Sequence, residues 1–434
     1  MMSEQATTTR LVSLDVFRGM TIAGMVLVNN PGTWSAIYSP LAHATWHGIT
    51  PTDYIFPFFL FIVGIAIPIA LGKRISEGIT RKVYLKILQR AAIIFGLGLF
   101  MAAFPLVNLT ESNIPMIAKA LAMLSLMATV YFWLVDRNRE AIGALIFTAV
   151  LLLSFYFSGY SLVFNNFATL RIPGVLQRIA VCYAIVSVIF LHFNWKQMTF
   201  IGVGLLLFYW ILMTLIPVPG CEITTIDDKA CNLAAYLDRS ILTEAHIWKS
   251  AKVFDPEGIL STLPAIVTTI SGVLTGMWLK SEKSDTEKCG GMFFFGVILC
   301  AIGWAWNFFF PFNKSLWTSS YVVYTSGLAL CFLGFCYWLI DIKGYKRWAK
   351  PFVIFGMNAL ALFIFSGLFA RFMSIIKVGE LDGKPLSIQQ WIFNNIYLAI
   401  ASPINASLFY AISFILFWLF LMWLLYRKRI YIKV

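Results

Sequence analysis

Residues 52–72 read TDYIFPFFLFIVGIAIPIALG, and this stretch decides the kind of fold that the chain adopts. Its only charged residue is Asp53, near the start, and its length matches the ~20 residues that a helix needs to cross roughly 30 Å of hydrocarbon. Similar runs recur along the 434 residues, of which 60% are hydrophobic and 12% charged, with a mean hydropathy of +0.80. A water-soluble fold cannot bury so much apolar surface, so lipid must be the main solvent.

The apolar runs predict an all-α, polytopic membrane helix bundle of about twelve transmembrane helices in one domain, residues 1–434. We expect no cleaved signal peptide, because Asp15 and Arg18 interrupt the first run. The predicted helices are 11–30, 52–72, 91–107, 115–135, 141–160, 174–192, 198–218, 259–279, 292–310, 318–340, 351–376 and 404–426.

The basic residues predict the orientation of these helices, because Lys and Arg are retained on the cytoplasmic side of short loops. Most of the 33 fall on one side if the N-terminus is inside, with clusters at 73–90, 343–350 and 427–433. We therefore expect both termini in the cytoplasm. The net charge of +13 then reflects topology, and nucleic-acid binding is not expected.

Two segments on the predicted outer side differ from ordinary loops. Residues 31–51, PGTWSAIYSPLAHATWHGITP, contain no Lys, Arg, Asp or Glu, and such a segment is expected to fold back into the protein, as binding sites do. Residues 219–258 form the longest loop, which either caps a cavity or is a solvated structural loop. Cys221 and Cys231 lie in it, and in an oxidising compartment they predict a disulfide, with two free thiols as the alternative.

Two of the four histidines, His43 and His47, lie in the uncharged segment, four residues apart and just before Asp53. A zinc site is disfavoured, because HATWH lacks the glutamate of the metalloprotease motif and further ligands. An ordinary hydrogen-bonded loop histidine is the interpretation we favour for His47. For His43, a general base oriented by Asp53 or a nearby amide is the sharper hypothesis.

Polar residues within predicted spans cost free energy in lipid, so each is expected to have a structural or functional role. Asp15 and Arg18 either pair with each other or bind a ligand, and Asn29 lies near the outer end of the same helix. Arg171 and Arg178 open the sixth helix, where either could hold a phosphate or carboxylate, although Arg171 could equally reach the membrane surface. No Walker A motif occurs, so ATP-driven work is not expected.

Seven ordered motifs resemble those of heparan-α-glucosaminide N-acetyltransferases and their bacterial relatives over most of the chain. The motifs are LDVFRGMTIAGMVLVNNPG (14–32), AHATWHGITPTDYIFPFFLFIVG (42–64), RIPGVLQRIAVCY (171–183), PVPGC (217–221), DPEGIL (255–260), PFNKSLW (311–317) and GMNAL (356–360).

The resemblance implies a family core of ten helices, to which this chain adds a pair at about 115–160. It implies transfer of acetyl from cytoplasmic acetyl-CoA to the amine of a glucosamine-type sugar on the far side, here the periplasmic side of a bacterial inner membrane. The family's essential histidine matches His43, in what would be the catalytic outer loop 31–51, and a nearby asparagine matches Asn29. A homodimer is also implied, and no metal cofactor is expected.

The remaining expectations concern substrate contacts. Asp53 would orient His43, which would act either as a base or as the acceptor of the acetyl group. The basic residues expected near acetyl-CoA are Arg18, Lys73, Arg74 and Arg178, of which Arg178 could instead contact the acceptor. The residues expected near the amino sugar are Trp46, His47, Asp255 and Glu257. The alternative function is a permease for N-acetylglucosamine-type sugars.

Overall fold

The structure is a computed structural model that describes residues 11–381 and 383–432, and of Ser76 the backbone alone. These residues are mostly helical. The strands are β1 (Lys377–Leu381) and β2 (Lys384–Ser387), an antiparallel pair. The α-helices are α1 (Val12–Asn29), α2 (Ile55–Ser76), α3 (Arg81–Ala103), α4 (Met116–Leu134), α5 (Asn138–Phe157), α6 (Val175–His192), α7 (Trp195–Leu215), α8 (Leu233–Leu242), α9 (Thr262–Leu279), α10 (Asp285–Trp306), α11 (Ser319–Cys336), α12 (Lys350–Met357), α13 (Ala359–Ile375), α14 (Ile388–Ile392) and α15 (Pro403–Arg427).

Eleven spans in the described part of the chain are long and apolar enough to cross a membrane, and there are twelve if the bent pair α12 and α13 counts as one. The prediction of an all-α membrane helix bundle is therefore confirmed, and the protein is a multi-pass membrane protein. The predicted cytoplasmic position of the termini rests partly on residues 1–10 and 433–434, which lie outside the described residues.

Two predicted helix starts were wrong by several residues. Helix α3 begins at Arg81 instead of residue 91, and α10 begins at Asp285 instead of 292. In both cases charged side chains had been assigned to a loop, although Lys, Arg and Glu are good helix formers and long basic side chains reach water from a helix end. At α10 the start is marked by a capping box, in which Ser284 and Glu287 bond each other's backbone amides.

The predicted helix 351–376 is broken at Asn358, where the axes of α12 and α13 form an angle of 81°. The side chain of Asn358 compensates for hydrogen bonds lost at the break by pairing with the chain that follows α15. Its Nδ2 donates to the Ile430 carbonyl at 3.1 Å, and its Oδ1 accepts from the Ile432 amide at 2.8 Å. Such pairing is required where backbone is interrupted away from water.

Glycines let α2 and α9 approach each other closely. A Cβ on Gly64 would lie 2.1 Å from the Thr269 carbonyl oxygen, and one on Gly272 would lie 2.0 Å from that of Phe61. Membrane helices associate through small residues of this kind, because lipid offers no hydrophobic driving force between them. The contact fixes α2, which begins directly after the turn that carries Asp53.

At one end of the bundle three connecting segments, 30–54, 216–261 and 307–318, lie against one another, and we call this the loop-rich end. The Gly48 amide donates to the Phe312 carbonyl at 2.8 Å, and the Trp46 indole donates to the Ile226 carbonyl at 2.9 Å. Cys221 and Cys231 are joined by a disulfide within the second segment. The uncharged segment that the sequence singled out is thus held between two other segments.

Candidate functional site

His43 and Asp53 meet at the loop-rich end because a short turn brings Asp53 back toward the preceding residues. Thr50 caps the 3₁₀ turn Pro51–Tyr54, and the Asp53 carboxylate accepts a hydrogen bond from the Thr50 amide at 3.0 Å. The two residues form a capping box. The same carboxylate oxygen accepts from the Thr50 hydroxyl at 3.0 Å and the Ala44 amide at 3.2 Å. The other oxygen, Oδ1, lies 2.7 Å from Nδ1 of His43.

The contact with Asp53 sets the tautomer of His43. An ionised carboxylate only accepts hydrogen bonds, so Nδ1 of the ring carries the hydrogen and Nε2 keeps its lone pair. Asp53 is fully buried, whereas the His43 side chain is 46% exposed. The arrangement therefore presents a basic ring nitrogen to solvent or substrate from a fixed support.

Lys314 is the third member of this cluster, and the sequence interpretation had not selected it. Its Nζ lies 3.1 Å from Nδ1 and 3.2 Å from Nε2 of His43, and 3.9 Å from Oδ1 of Asp53. Burial lowers the pKa of Lys314, and the charges of Asp53 and Glu257 oppose this effect. The sequence feature that could have identified Lys314 is its position within PFNKSLW, one of the motifs that carried the family resemblance.

Asn29 lies elsewhere at this end of the bundle, as the last residue of α1. It is exposed and lines a cavity of about 550 Å³ that also includes Trp34, Arg371 and Gln389. No described hydrogen bond joins Asn29 to His43. The two residues that the resemblance brings into one reaction are therefore in separate local environments.

A second cavity of about 730 Å³ adjoins the first, because Arg371 and three other residues line both. Its described lining includes the cations Arg171, Lys249 and Arg371 and contains no Asp or Glu. Arg371 donates through Nη1 to the carbonyls of Met101 at 2.7 Å and Phe104 at 2.8 Å, at the end of α3. Among the described residues no carboxylate pairs with Arg371, so its positive charge lies beside both cavities.

Arg171 holds the two acidic residues expected near the amino sugar. Its Nε and Nη2 bond the two Asp255 oxygens at 2.8 and 2.6 Å, and Nη2 also bonds Glu257. Burial opposes the Arg171 charge, but these hydrogen bonds and charges outweigh it and raise the pKa of Arg171. Because Asp255 is fully committed to Arg171, we leave both carboxylates out of the acceptor site proposed below.

Arg178 is buried behind the same loop, far from where a nucleotide at the opposite end would lie. Its Nη2 donates to the Gly258 carbonyl at 3.0 Å and to the Ser261 hydroxyl, and its guanidinium stacks on Trp317 at 5.2 Å. Within the described chain, Nε and Nη1 have no hydrogen-bond partner. These contacts support a role at the loop-rich end.

Trp46 and His47 attach the first segment to its neighbours. Nε2 of His47 lies 2.8 Å from Asp227, and Nδ1 lies 3.3 Å from the Asn313 amide, so His47 has the contacts of a hydrogen-bonded loop histidine. Lys229 lies over the Trp46 ring at 5.6 Å. Together, the two side chains therefore join the first segment to the other two segments of the loop-rich end.

The remaining basic candidates lie at the opposite end of the bundle. Arg18 is 3.6 Å from Asp15 and donates to the Gly356 carbonyl at 3.4 Å, which matches the pairing alternative. Lys73 and Arg74 form the last turn of α2. Across the described residues, no group of three or more His, Cys, Asp or Glu could hold a metal ion.

Comparison with known sequences places this architecture in a family. The profile of a family described as "Domain of unknown function (DUF5009)" matches residues 10–236, more than half of the chain. The chain belongs to the DUF5009 family. The match includes α1 to α7. It therefore includes the uncharged segment with His43 and also Asp53, which follows that segment.

This DUF5009 member is also similar to two curated proteins named heparan-alpha-glucosaminide N-acetyltransferase. It is 25% identical to that of Mus musculus over 415 residues, which cover 83% of this chain and 54% of the relative. It is 26% identical to that of Homo sapiens over 418 residues, covering 84% and 53%. The chain thus spans about half the length of the curated relatives it matches.

Proposed function

We propose that this protein is a transmembrane acetyltransferase that moves acetyl from acetyl-CoA to the amine of a glucosamine-type sugar at the loop-rich end. The observation that carries this proposal is the His43–Asp53 pair, in which a buried carboxylate fixes one ring nitrogen and leaves the other available. The name of the two curated relatives supports the choice of an acetyl group and an amino sugar.

In the proposed reaction the sugar amine attacks the thioester carbonyl carbon, and His43 Nε2 takes the proton that the amine loses. The new C–N bond forms as the carbonyl π electrons move onto oxygen. When the tetrahedral intermediate collapses, the C–S bond breaks and the thiolate takes the proton from His43. In a two-step route, Nε2 first attacks the carbonyl carbon, and the C–S bond breaks to release the thiolate. The amine then attacks the acetyl carbon, the bond from Nε2 to acetyl breaks, and Nε2 takes the amine proton and passes it to the thiolate.

Acetyl-CoA would reach across the bundle in this proposal. Its phosphates would lie near Arg18, Lys73 and Arg74, at the end opposite to His43, which we assign to the cytoplasm together with both termini. The loop-rich end would face the periplasm, where the disulfide fits an oxidising compartment. Asn29 would contact the substrate, and Trp46 and His47 would border the sugar.

The test is acetyl transfer by detergent-purified protein from radiolabelled acetyl-CoA to a panel of amino sugars. His43→Gln should lower kcat by about 10²–10⁴-fold, because positioned general bases contribute that much. His246→Gln is the matched control, since His246 also lies at the loop-rich end but bonds the Leu170 carbonyl, and it should stay within about threefold of wild type. Transfer at the wild-type rate by His43→Gln would refute the catalytic assignment.

A permease is the second candidate, and the two adjoining polar cavities are the observation that favours it. Transport would need no acetyl-CoA, so the assay is uptake of labelled N-acetylglucosamine into proteoliposomes. Uptake without acetyl transfer would favour the permease, whereas transfer without uptake would exclude it.

A further inference from the structure

We infer that Lys314 is a third catalytic residue, whose ammonium stabilises the negative charge that develops on the carbonyl oxygen of the acyl donor. The inference rests on the proposed acetyl transfer at His43. It concerns a residue that neither the family match nor the names of the relatives assign.

Distance supports this role, because Lys314 lies where the reacting carbonyl must come. Nε2 of His43 is the free ring nitrogen, and Nζ of Lys314 is 3.2 Å from it. If Nε2 attacks the carbonyl, the carbonyl carbon must lie next to Nε2. If Nε2 takes the proton from the attacking amine, the carbonyl carbon lies one bond beyond the amine nitrogen that Nε2 contacts. Its oxygen then comes within reach of the ammonium, as electrostatic stabilisation of an oxyanion requires.

The manner in which Lys314 pairs with its neighbours argues against a purely structural role. A lysine kept only for stability would contact the buried carboxylate directly, yet Nζ is 3.9 Å from Asp53 Oδ1, which is already bonded to His43. The ammonium instead approaches the ring nitrogens. It therefore retains donor capacity that a substrate oxygen can use, while the nearby carboxylate favours its charged form.

The backbone around Lys314 is fixed before substrate arrives. The Trp317 amide donates to the Lys314 carbonyl at 3.2 Å, and the Thr318 amide donates to the Asn313 carbonyl at 3.2 Å. The bond from Gly48 to Phe312 ties this turn to the segment that carries His43. A preorganised donor of this kind costs no rearrangement at the moment of reaction, which is what makes it effective.

At rest, the Lys314 ammonium is almost equally far from the two ring nitrogens, 3.1 Å from Nδ1 and 3.2 Å from Nε2, so it lies over the face of the His43 ring and leaves the in-plane lone pair of Nε2 open. As the carbonyl oxygen of the incoming thioester gains charge, an N–H of Lys314 donates to it, and Nε2 accepts the amine proton. Lys314 keeps its three hydrogens throughout. The proton passes only from the amine to Nε2 and then to the departing thiolate.

The test compares Lys314→Met, which keeps the length and removes the charge, with Lys314→Arg and with the control Lys196→Met. Removal of one oxyanion donor costs about 10²–10³-fold in kcat, and we expect this loss for Lys314→Met with a much smaller change in KM. Lys314→Arg should recover at least about tenfold of it, because the cation is restored. Lys196→Met should match wild type, since Lys196 lies over Trp195 at the start of α7, at the end of the bundle opposite to His43.

An active wild type with Lys314→Met within threefold of it would overturn the inference and leave the acetyltransferase proposal standing. An inactive wild type would defeat the acetyltransferase proposal itself. A second readout needs no turnover: diethyl pyrocarbonate modifies the free Nε2, and the adjacent ammonium draws electron density from the ring. Lys314→Met should therefore speed modification of His43 several-fold, relative to His246, whose Nδ1 bonds the Leu170 carbonyl. An unchanged rate would refute the contact, and unfolding of the Met variant would show as faster modification of every histidine.

Discussion

Two clusters of charged side chains lie at the loop-rich end, and they differ in what they leave unsatisfied. Arg171 bonds directly to both Asp255 and Glu257, with two parallel hydrogen bonds from its guanidinium to Asp255. In the cluster of His43, Asp53 and Lys314, by contrast, Nε2 keeps a lone pair and the ammonium is too far from the carboxylate for a hydrogen bond. Saturated ion pairs suit stability, whereas unused hydrogen-bonding capacity on a rigid support suits chemistry.

The largest expected effect is a loss of acetyl-transfer activity when the cluster of His43, Asp53 and Lys314 is changed. Asp53→Asn should keep the fold but lower kcat by about 10⁴-fold, because an amide can bond His43 in the wrong tautomer, as in Ser-His-Asp sites. Acetyl-transfer kinetics check this, with the melting temperature measured alongside. A variant that retains a tenth of the wild-type kcat would remove Asp53 from the catalytic cluster.

The next largest effect is a loss of stability when the cluster of Arg171, Asp255 and Glu257 is changed. Arg171→Met should lower the free energy of unfolding by about 3 kcal/mol, because it leaves the buried Asp255 carboxylate without its partner. The matched control is Arg137→Met, which breaks the exposed pair with Glu140 and should not change the melting temperature measurably. Equal melting temperatures for the two variants would show that the Arg171 cluster does not stabilise the fold.

Asn29 tests whether the cavity it lines belongs to the same reaction as His43. If Asn29 donates to the reacting oxygen, Asn29→Ala should lower kcat by about 10²-fold. If it only contacts bound substrate, the variant should raise KM and leave kcat unchanged. Asn395→Ala is the control, because its side chain bonds the Trp391 carbonyl and lines neither of the two cavities. Wild-type kcat and KM in Asn29→Ala would separate the cavity from the reaction.

The smallest effect concerns Asp238, which supports the loop that Arg171 holds. Burial raises its pKa from 3.8 to about 6, against the hydrogen bonds that it accepts from the Ile259 and Asp255 amides. The folded protein therefore binds a proton more tightly than the unfolded chain, so this contribution to stability is present below about pH 4 and lost as pH rises through 6. Melting temperatures between pH 4 and 7 should fall with pH in wild type and fall less in Asp238→Asn.

Much of the fold could be predicted from the sequence, because an apolar run of membrane length has few alternatives in lipid. The meeting of His43 and Asp53 was also predictable, since the two are ten residues apart around a turn. Partners distant in sequence were not: 84 residues separate Arg171 from Asp255, and Lys314 is 271 from His43. Local patterns carry no information on which loops will lie together.

The break at Asn358 was not predicted for a related reason. Asparagine occurs in unbroken membrane helices, and nothing near GMNAL announces that residues 430–432 return to pair with it. The pairing becomes visible only once the whole chain is folded. Assignments based on hydropathy alone therefore merge α12 and α13 into one straight helix.

That pairing also bears on how the protein can be handled in the laboratory. Because the side-chain amide of Asn358 bonds the backbone of Ile430 and Ile432, the chain after α15 packs as part of the helix bundle. A purification tag fused there without a flexible spacer would pull on the junction of α12 and α13. Truncation at residue 428 would leave the Asn358 side chain with neither partner.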